Sequence, residues 1–232
     1  MYSEYLFNND TQEISNRVCE LASSNEPALC SHCQEVSRQT DTSSLALQED
    51  CIAKLNAAKA ILQEISVLAE DLSKKMMGNS GVFGTQNGQA TFPEVCRSVM
   101  PMEEKRQLLI SCVADLSEFR RTLASRVADT NRALHFLYLA KNAVDAERKD
   151  AYAKATEIAE SANRRLKTLD ASVFEMQNFC MTFTEKHFSV FMQRLRISAD
   201  FNHAGNALAT GEIRMLCSEL KILVNRAPNI TF

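Results

Sequence analysis

Tryptophan is absent from these 232 residues, glycine occurs six times, proline four times, and aromatic residues make up only 7%. Ordinary chains carry roughly 7% glycine and 5% proline. A fold built on many tight turns is therefore excluded, and long helices are what such a chain can form. The start, MYSEYLFNNDTQE, shows neither the basic opening nor the apolar stretch of a secretory leader. No run of about 18 apolar residues occurs, so no transmembrane segment is expected. A cytoplasmic location is the resulting expectation.

Charge of one sign is also scarce, since the net charge is −3. Phosphate binding needs clustered lysine and arginine in excess, which argues against nucleic acid as a partner. The halves differ mildly: residues 1–100 hold seven Lys/Arg against 13 Asp/Glu, and residues 101–232 hold 19 against 16.

Reactive constellations are missing as well. The glycine-rich stretch from Gly78 to Gly88 is followed by no Gly-Lys-Ser/Thr and preceded by no strand, so it is no phosphate cradle. His32, His135, His187 and His203 are scattered, and no nucleophile can be assigned beside any of them. His187 falls on an apolar frame and is expected as a satisfied, partly buried ring. No Glu-x-x-His occurs, which excludes a ferritin-like di-iron centre. Glu103-Glu104 and Glu157 with Glu160 are acid pairs of the kind common at helix starts and on solvated faces. The expectation is a protein that is not an enzyme and holds no cofactor or metal.

One local motif keeps two readings. Cys30-Ser31-His32-Cys33 could give two ligands of a zinc site if folding brought in Cys19 or Cys51, because a structural site needs four. On a helix the two cysteines simply share a face as buried, reduced hydrophobes. The other cysteines of the eight sit mostly on apolar helical positions, which suits a reducing compartment.

Helical periodicity is present in quantity, and 45% apolar content is ample for a core. Asp10-Thr11-Gln12-Glu13 has the form of a capping box ahead of Ile14, Val18 and Leu21. Pro27 opens a second helix carrying Leu29, Cys33 and Val36. From Ser43 to Met77 the apolar residues keep a heptad frame: Cys51, Leu55, Ala58, Leu62, Ile65, Ala69, Leu72 and Met76. This seam would lie against a partner helix, of this chain or of another, and at about 1.5 Å per residue the segment implies an elongated shape.

Four of the six glycines fall between Gly78 and Gly88, which predicts a flexible loop over residues 78–92. Pro93 and Pro101 bracket a short segment, with Glu103 and Glu104 in the first turn of the next helix. Residues 102–204 contain neither proline nor glycine. Leu109, Val113, Leu116, Leu123, Val127, Leu134 and Leu137 form a narrow stripe, and residues 140–162 are alanine-rich with little to bury. Val173, Met176, Cys180, Phe183, Val190 and Ile197 then hold one frame, widened by Phe174, Phe179, Phe188 and Phe191. So long a run must fold back, with Asn142 to Lys149 and Thr168 to Ser172 as candidate reversals. Residues 205–211 predict a turn, Glu212 to Val224 a last amphipathic helix, and Pro228 to Phe232 a loose tail.

The fold expectation is thus all-α: an elongated helical bundle or coiled coil with long helices and one Gly-rich loop. Its parts are residues 1–77 (N-terminal helices and seam), 78–92 (loop), 93–204 (long helical segment) and 205–232 (last helix and tail). Arg120, Arg121, Arg164, Arg165 and Lys167, together with Arg194 and Arg196, form basic spots among interleaved acids. They are a solvated helix face or contacts for an acidic partner such as a filament.

Phe92-Pro93-Glu94-Val95-Cys96 and Met100-Pro101-Met102-Glu103, opening a long helix with Leu108-Leu109 after a coiled-coil half, resemble the middle of small augmin (HAUS) complex subunits. The resemblance covers about forty residues. The seam needing cover and the missing reactive constellation point to a non-enzymatic structural subunit of a hetero-oligomer of coiled-coil proteins, and the resemblance implies one of the augmin kind. Such a subunit would sit in the cytoplasm at the cytoskeleton or spindle, where it helps bring nucleation factors to microtubules. The alternative is a stand-alone helical bundle that binds one partner, as an effector or a membrane-associated adaptor.

Overall fold

A computed structural model describes residues 12–20, 22, 26–77, 92–145, 149–203 and 207–229. Its elements are α1 (residues 12–20), α2 (Glu26–Met77), α3 (Phe92–Ala143), α4 (Lys149–Thr182), a π turn (Phe183–His187), α5 (Phe188–His203) and α6 (Ala207–Val224). The protein is all-α. No helix among the described residues is long and apolar enough to cross a membrane. The start of the capping box at Asp10 and Thr11, the glycine-rich stretch up to residue 91 and residues 230–232 lie outside the described residues.

Helix boundaries depart from the sequence expectation in four places. The second helix and the seam are one continuous helix, α2, because the heptad frame extends backward through Ser44 and Ser37 to Cys33, all buried. Two serines at frame positions hide that continuity from an apolar count.

Pro101 does not open a helix. It lies inside α3, so Glu103 and Glu104 are not in a first turn. A proline in a helix interior removes a hydrogen bond and costs about 3 kcal/mol. Val95, Val99, Met102, Leu109 and Leu116 hold one buried frame across it, each large side chain contributing about 1.5–3 kcal/mol, and that sum outweighs the break.

The reversal expected at 142–149 falls where α3 ends and α4 begins, whereas 168–172 is uninterrupted α4 with Leu169 and Val173 both buried. Finally, α6 starts at Ala207, and Gly211 sits inside it rather than in a turn. A Cβ at Gly211 would meet nothing within 4 Å. Gly211→Ala is therefore expected to raise stability by about 0.5–1 kcal/mol, read as a higher urea midpoint with unchanged slope.

The chain divides into two compact units. Unit 1 draws on Met1–Cys51 and Phe119–Ala171, and unit 2 on Ile52–Glu118 and Ser172–Thr231. Unit 1 is built around Val18, Leu29 and Cys33 with Leu134, Phe136, Leu137, Ala140, Val144, Tyr152, Ala155 and Ala159. One face of the alanine-rich stretch expected to have little to bury is thus core: Ala140, Ala155, Ala159 and Ala162 are buried, whereas Ala143 and Ala151 are exposed. Small side chains allow helices to approach closely, so the burial comes from neighbours rather than from the alanines' own bulk.

In unit 2 the buried set includes Leu55, Leu62, Ile65 and Leu72 of α2, Met102, Leu109 and Leu116 of α3, Phe183 of the π turn, Phe188 and Phe191 of α5, and Ile213, Leu216 and Leu220 of α6. Helices α5 and α6 pack on each other. Lys221 of α6 donates to Glu70 Oε2 of α2 at 2.8 Å, and Lys74 reaches the other oxygen at 3.0 Å. These two ammonium groups, Lys221 first, hold the Glu70 carboxyl well below its ordinary 4.5, at about 2. A carboxylate depressed in this way stabilises the fold above the unfolded-state value, and the contribution is lost as pH falls from about 4.5 to about 2. Both partners are substantially solvated, so the effect is modest. Thermal melts at pH 7 and pH 3 should differ less for Glu70→Gln than for the parent.

Candidate interaction surface

All eight seam residues are buried by the chain itself: Cys51, Leu55, Ala58, Leu62, Ile65, Ala69, Leu72 and Met76 are 0–6% exposed. The seam expected to await a partner helix is therefore filled. Its periodicity correctly marked a helix face needing cover, but periodicity is identical whether the cover comes from the same chain or another.

The basic spots differ in their surroundings. Arg120 donates to Asp170 Oδ1 at 2.9 Å, and Arg165 donates to Asp41 Oδ1 at 2.9 Å and to the buried Ser44 hydroxyl. Arg194 sits 3.4 Å from Glu219 and 3.7 Å from Glu212 on α6. Arg121, Arg164, Lys167 and Arg196 are exposed. The interleaved acids thus consume part of what looked like a dock. Asp41 and Ser44, more than a hundred residues away from Arg165 in sequence, had no local signal.

Cys30 and Cys33 share a face near the start of α2. Among the described residues no third His, Cys, Asp or Glu joins them, and neither Cys19 nor Cys51 is brought in. Gln34 Nε2 donates to Cys30 Sγ at 3.8 Å, and His32 lies edge-on to Phe136 with ring centroids 5.2 Å apart. Burial pushes the Cys33 thiol up to about 12, aided by the neighbouring Cys30. Cys51, Cys180 and Cys217 rise to about 12 for the same main reason, so thiolate chemistry at neutral pH is disfavoured at all four.

The π turn changes the face that α5 presents. Before it, Val173, Met176, Cys180 and Phe183 are buried; after it, Phe188, Phe191, Leu195 and Ser198 are. A regular α-helix would have continued through His187, Val190 and Ile197, which are exposed. The expectation of a partly buried His187 is overturned for this reason. Within the turn the Phe188 amide donates to the Phe183 carbonyl, a five-residue step that absorbs one extra residue.

Side chains support this geometry. Thr184 Oγ1 donates to the Cys180 and Met181 carbonyls at 2.9 and 3.1 Å, and Ser189 Oγ donates to the Thr184 carbonyl at 3.2 Å. Phe183, Phe188 and Phe191 pack as tilted pairs, centroids 6.1 and 5.8 Å apart, and the Arg106 guanidinium lies 5.9 Å from the Phe188 ring centre. The five-residue spacing from Phe183 to Phe188 was the sequence signal for the shift.

Two of the clefts among the described residues lie in unit 2. One, of about 210 Å³, lies between α5 and α6, with Lys186, His187, Val190 and Arg194 around a floor of Phe191, Leu216 and Leu220. The larger, of about 680 Å³, lies between the first turns of α3 and the middle of α5. It is lined by Val95, Cys96, Val99, Met100 and Glu103 on one side and Met192, Gln193, Leu195 and Arg196 on the other.

Fold and surface together define the class: an all-α helical bundle with an apolar groove between two of its helices. No family model matches the chain, and no curated protein or solved structure matches it either.

Proposed function

We propose that this chain is a non-enzymatic structural subunit of a helical protein assembly, which it enters with its own core already formed and to which it offers the surface of unit 2. The uneven placement of exposed apolar side chains carries this reading. Among the described residues, Leu45, Tyr138 and Ile158 belong to unit 1, and the other ten large exposed hydrophobics, from Val67 and Met100 to Met215 and Ile222, belong to unit 2. Scattered exposed leucines are ordinary, but an excess on one unit beside an apolar groove favours an interaction surface there. Partners are other helical proteins.

The likeness to small augmin subunits gives this reading a microtubule-associated form, and four of the residues that carry it, Val95, Cys96, Met100 and Glu103, line the larger groove. In that form the exposed Arg164 and Lys167 would meet an acidic filament. Co-pelleting with microtubules should fall on Arg164→Glu with Lys167→Glu; unchanged pelleting removes the filament contact. The assembly itself is tested by affinity purification from native extract with cross-linking. A stoichiometric set of helical proteins is expected, and recovery of the chain alone overturns the reading.

A further inference from the structure

We infer that the groove between α3 and α5 seats a two-turn amphipathic helix of a partner protein, apolar along one edge and acidic where it passes Arg196. This rests on the reading of the chain as a subunit of a helical assembly, and adds the chemistry of the segment it takes.

Length is the first argument. From Val95 to Glu103 the groove follows about 12 Å of the α3 axis, at about 1.5 Å per residue, which matches two turns of a docked helix. Two neighbouring helices leave a furrow that accepts the ridge of a third, read as anchors spaced three, four or seven residues apart.

The lining suits that ridge. Val95, Val99 and Leu195 form the buried floor, while Met100, 64% exposed, and the half-buried Met192 flank it. Unbranched thioether side chains adapt to apolar partners of varied shape.

Charge decides what lies beside the ridge. Glu103, the one acid in the lining, accepts from Arg106 at 2.8 and 3.0 Å and from Gln107 at 2.9 Å, which neutralises it. Arg196 is exposed, and no ionic partner is found for it among the described residues, which leaves it the one unneutralised charge of the lining; outside the lining both signs are exposed, Arg97 and Glu104 on α3 and Asp200 on α5. The lining is therefore positive at Arg196, so the complementary ridge places Asp or Glu where it passes that side chain. A second copy of this chain seated groove to groove by two-fold symmetry would bring a second Arg196 rather than a carboxylate to the lining, which disfavours it.

The test uses the full chain with labelled methionine methyl groups and a synthetic helical peptide of about 15 residues. The peptide carries leucines at three-, four- and seven-residue spacing with flanking glutamates, and a second version carries lysines in their place. The glutamate peptide is expected to move the Met100 and Met192 signals and leave the buried Met176 unmoved. The lysine peptide should bind about fivefold more weakly, and Arg196→Glu should reverse that order. Met100→Lys, at an exposed position, should weaken the glutamate peptide about tenfold.

No shift at about millimolar peptide, equal affinity for the two peptides, or an order unchanged by Arg196→Glu overturns the proposal. So does a dimer of the chain that Met100→Lys dissolves, because the occupant is then a second copy. Helical partners recovered from extract whose binding ignores Met100→Lys sink the groove while leaving the assembly intact. Peptide binding without any recovered partner sinks the assembly instead.

Discussion

Leu62→Ala is expected to lower the unfolding free energy of the isolated chain by about 2–5 kcal/mol, because the side chain is fully buried and its removal leaves a cavity that surrounding helices fill only in part. Equilibrium urea unfolding of the purified protein reads it directly. The experiment also separates two origins of the seam. Were Leu55, Leu62, Ile65 and Leu72 a face awaiting another protein, truncating one of them would leave the stability of the chain alone unchanged and weaken only association. Their burial within the chain predicts the opposite order of effects.

Single-residue deletions in the stretch around the π turn should give sharply different results. Removing Glu185, an exposed residue within the turn, lets the backbone close as regular α-helix. Phe188, Phe191 and Leu195 then continue the frame of Val173, Met176, Cys180 and Phe183, so the protein should fold with stability within about 1 kcal/mol of the parent. Removing Glu175, equally exposed but in regular α4, rotates the remainder of that helix by about 100°. Relaxation of the π turn can restore Phe188 onward, but Met176, Cys180 and Phe183 are left off the buried face. Losing those side chains from the core removes more than about 5 kcal/mol, comparable to the whole stability of many domains. Loss of the cooperative melt by circular dichroism is the expected readout. Equal behaviour of the two deletions would mean that the π turn does not set the register.

Much of the candidate surface could be assembled from sequence, but not its accessibility. Val95, Cys96, Met100 and Glu103 stand out in the sequence as a motif at a helix start; they lie on the wall of a groove because α3 begins earlier and passes through Pro101. Met192 and Leu195, the other wall, fall outside the expected frame of Val190 and Ile197, since that frame ignores the residue absorbed by the π turn. Arg120 and Arg165 look equivalent to Arg164 and Lys167 until the fold sets Asp170, Asp41 and Ser44 beside them.

By itself the sequence determined that this protein is helical, and where most of its helical faces lie. Scarce glycine and proline, and apolar residues recurring at three and four, act through the backbone within a few residues, so they can be read without knowing the rest of the fold. Only the tertiary structure decided that α3 survives its proline, that Ala155, Ala159 and Ala162 of α4 are core, that the seam is filled from within, and that one extra residue turns α5 by a position. Each of those outcomes depends on cover supplied by residues distant in sequence, and the free energy of that cover exceeds the local preference it overrides.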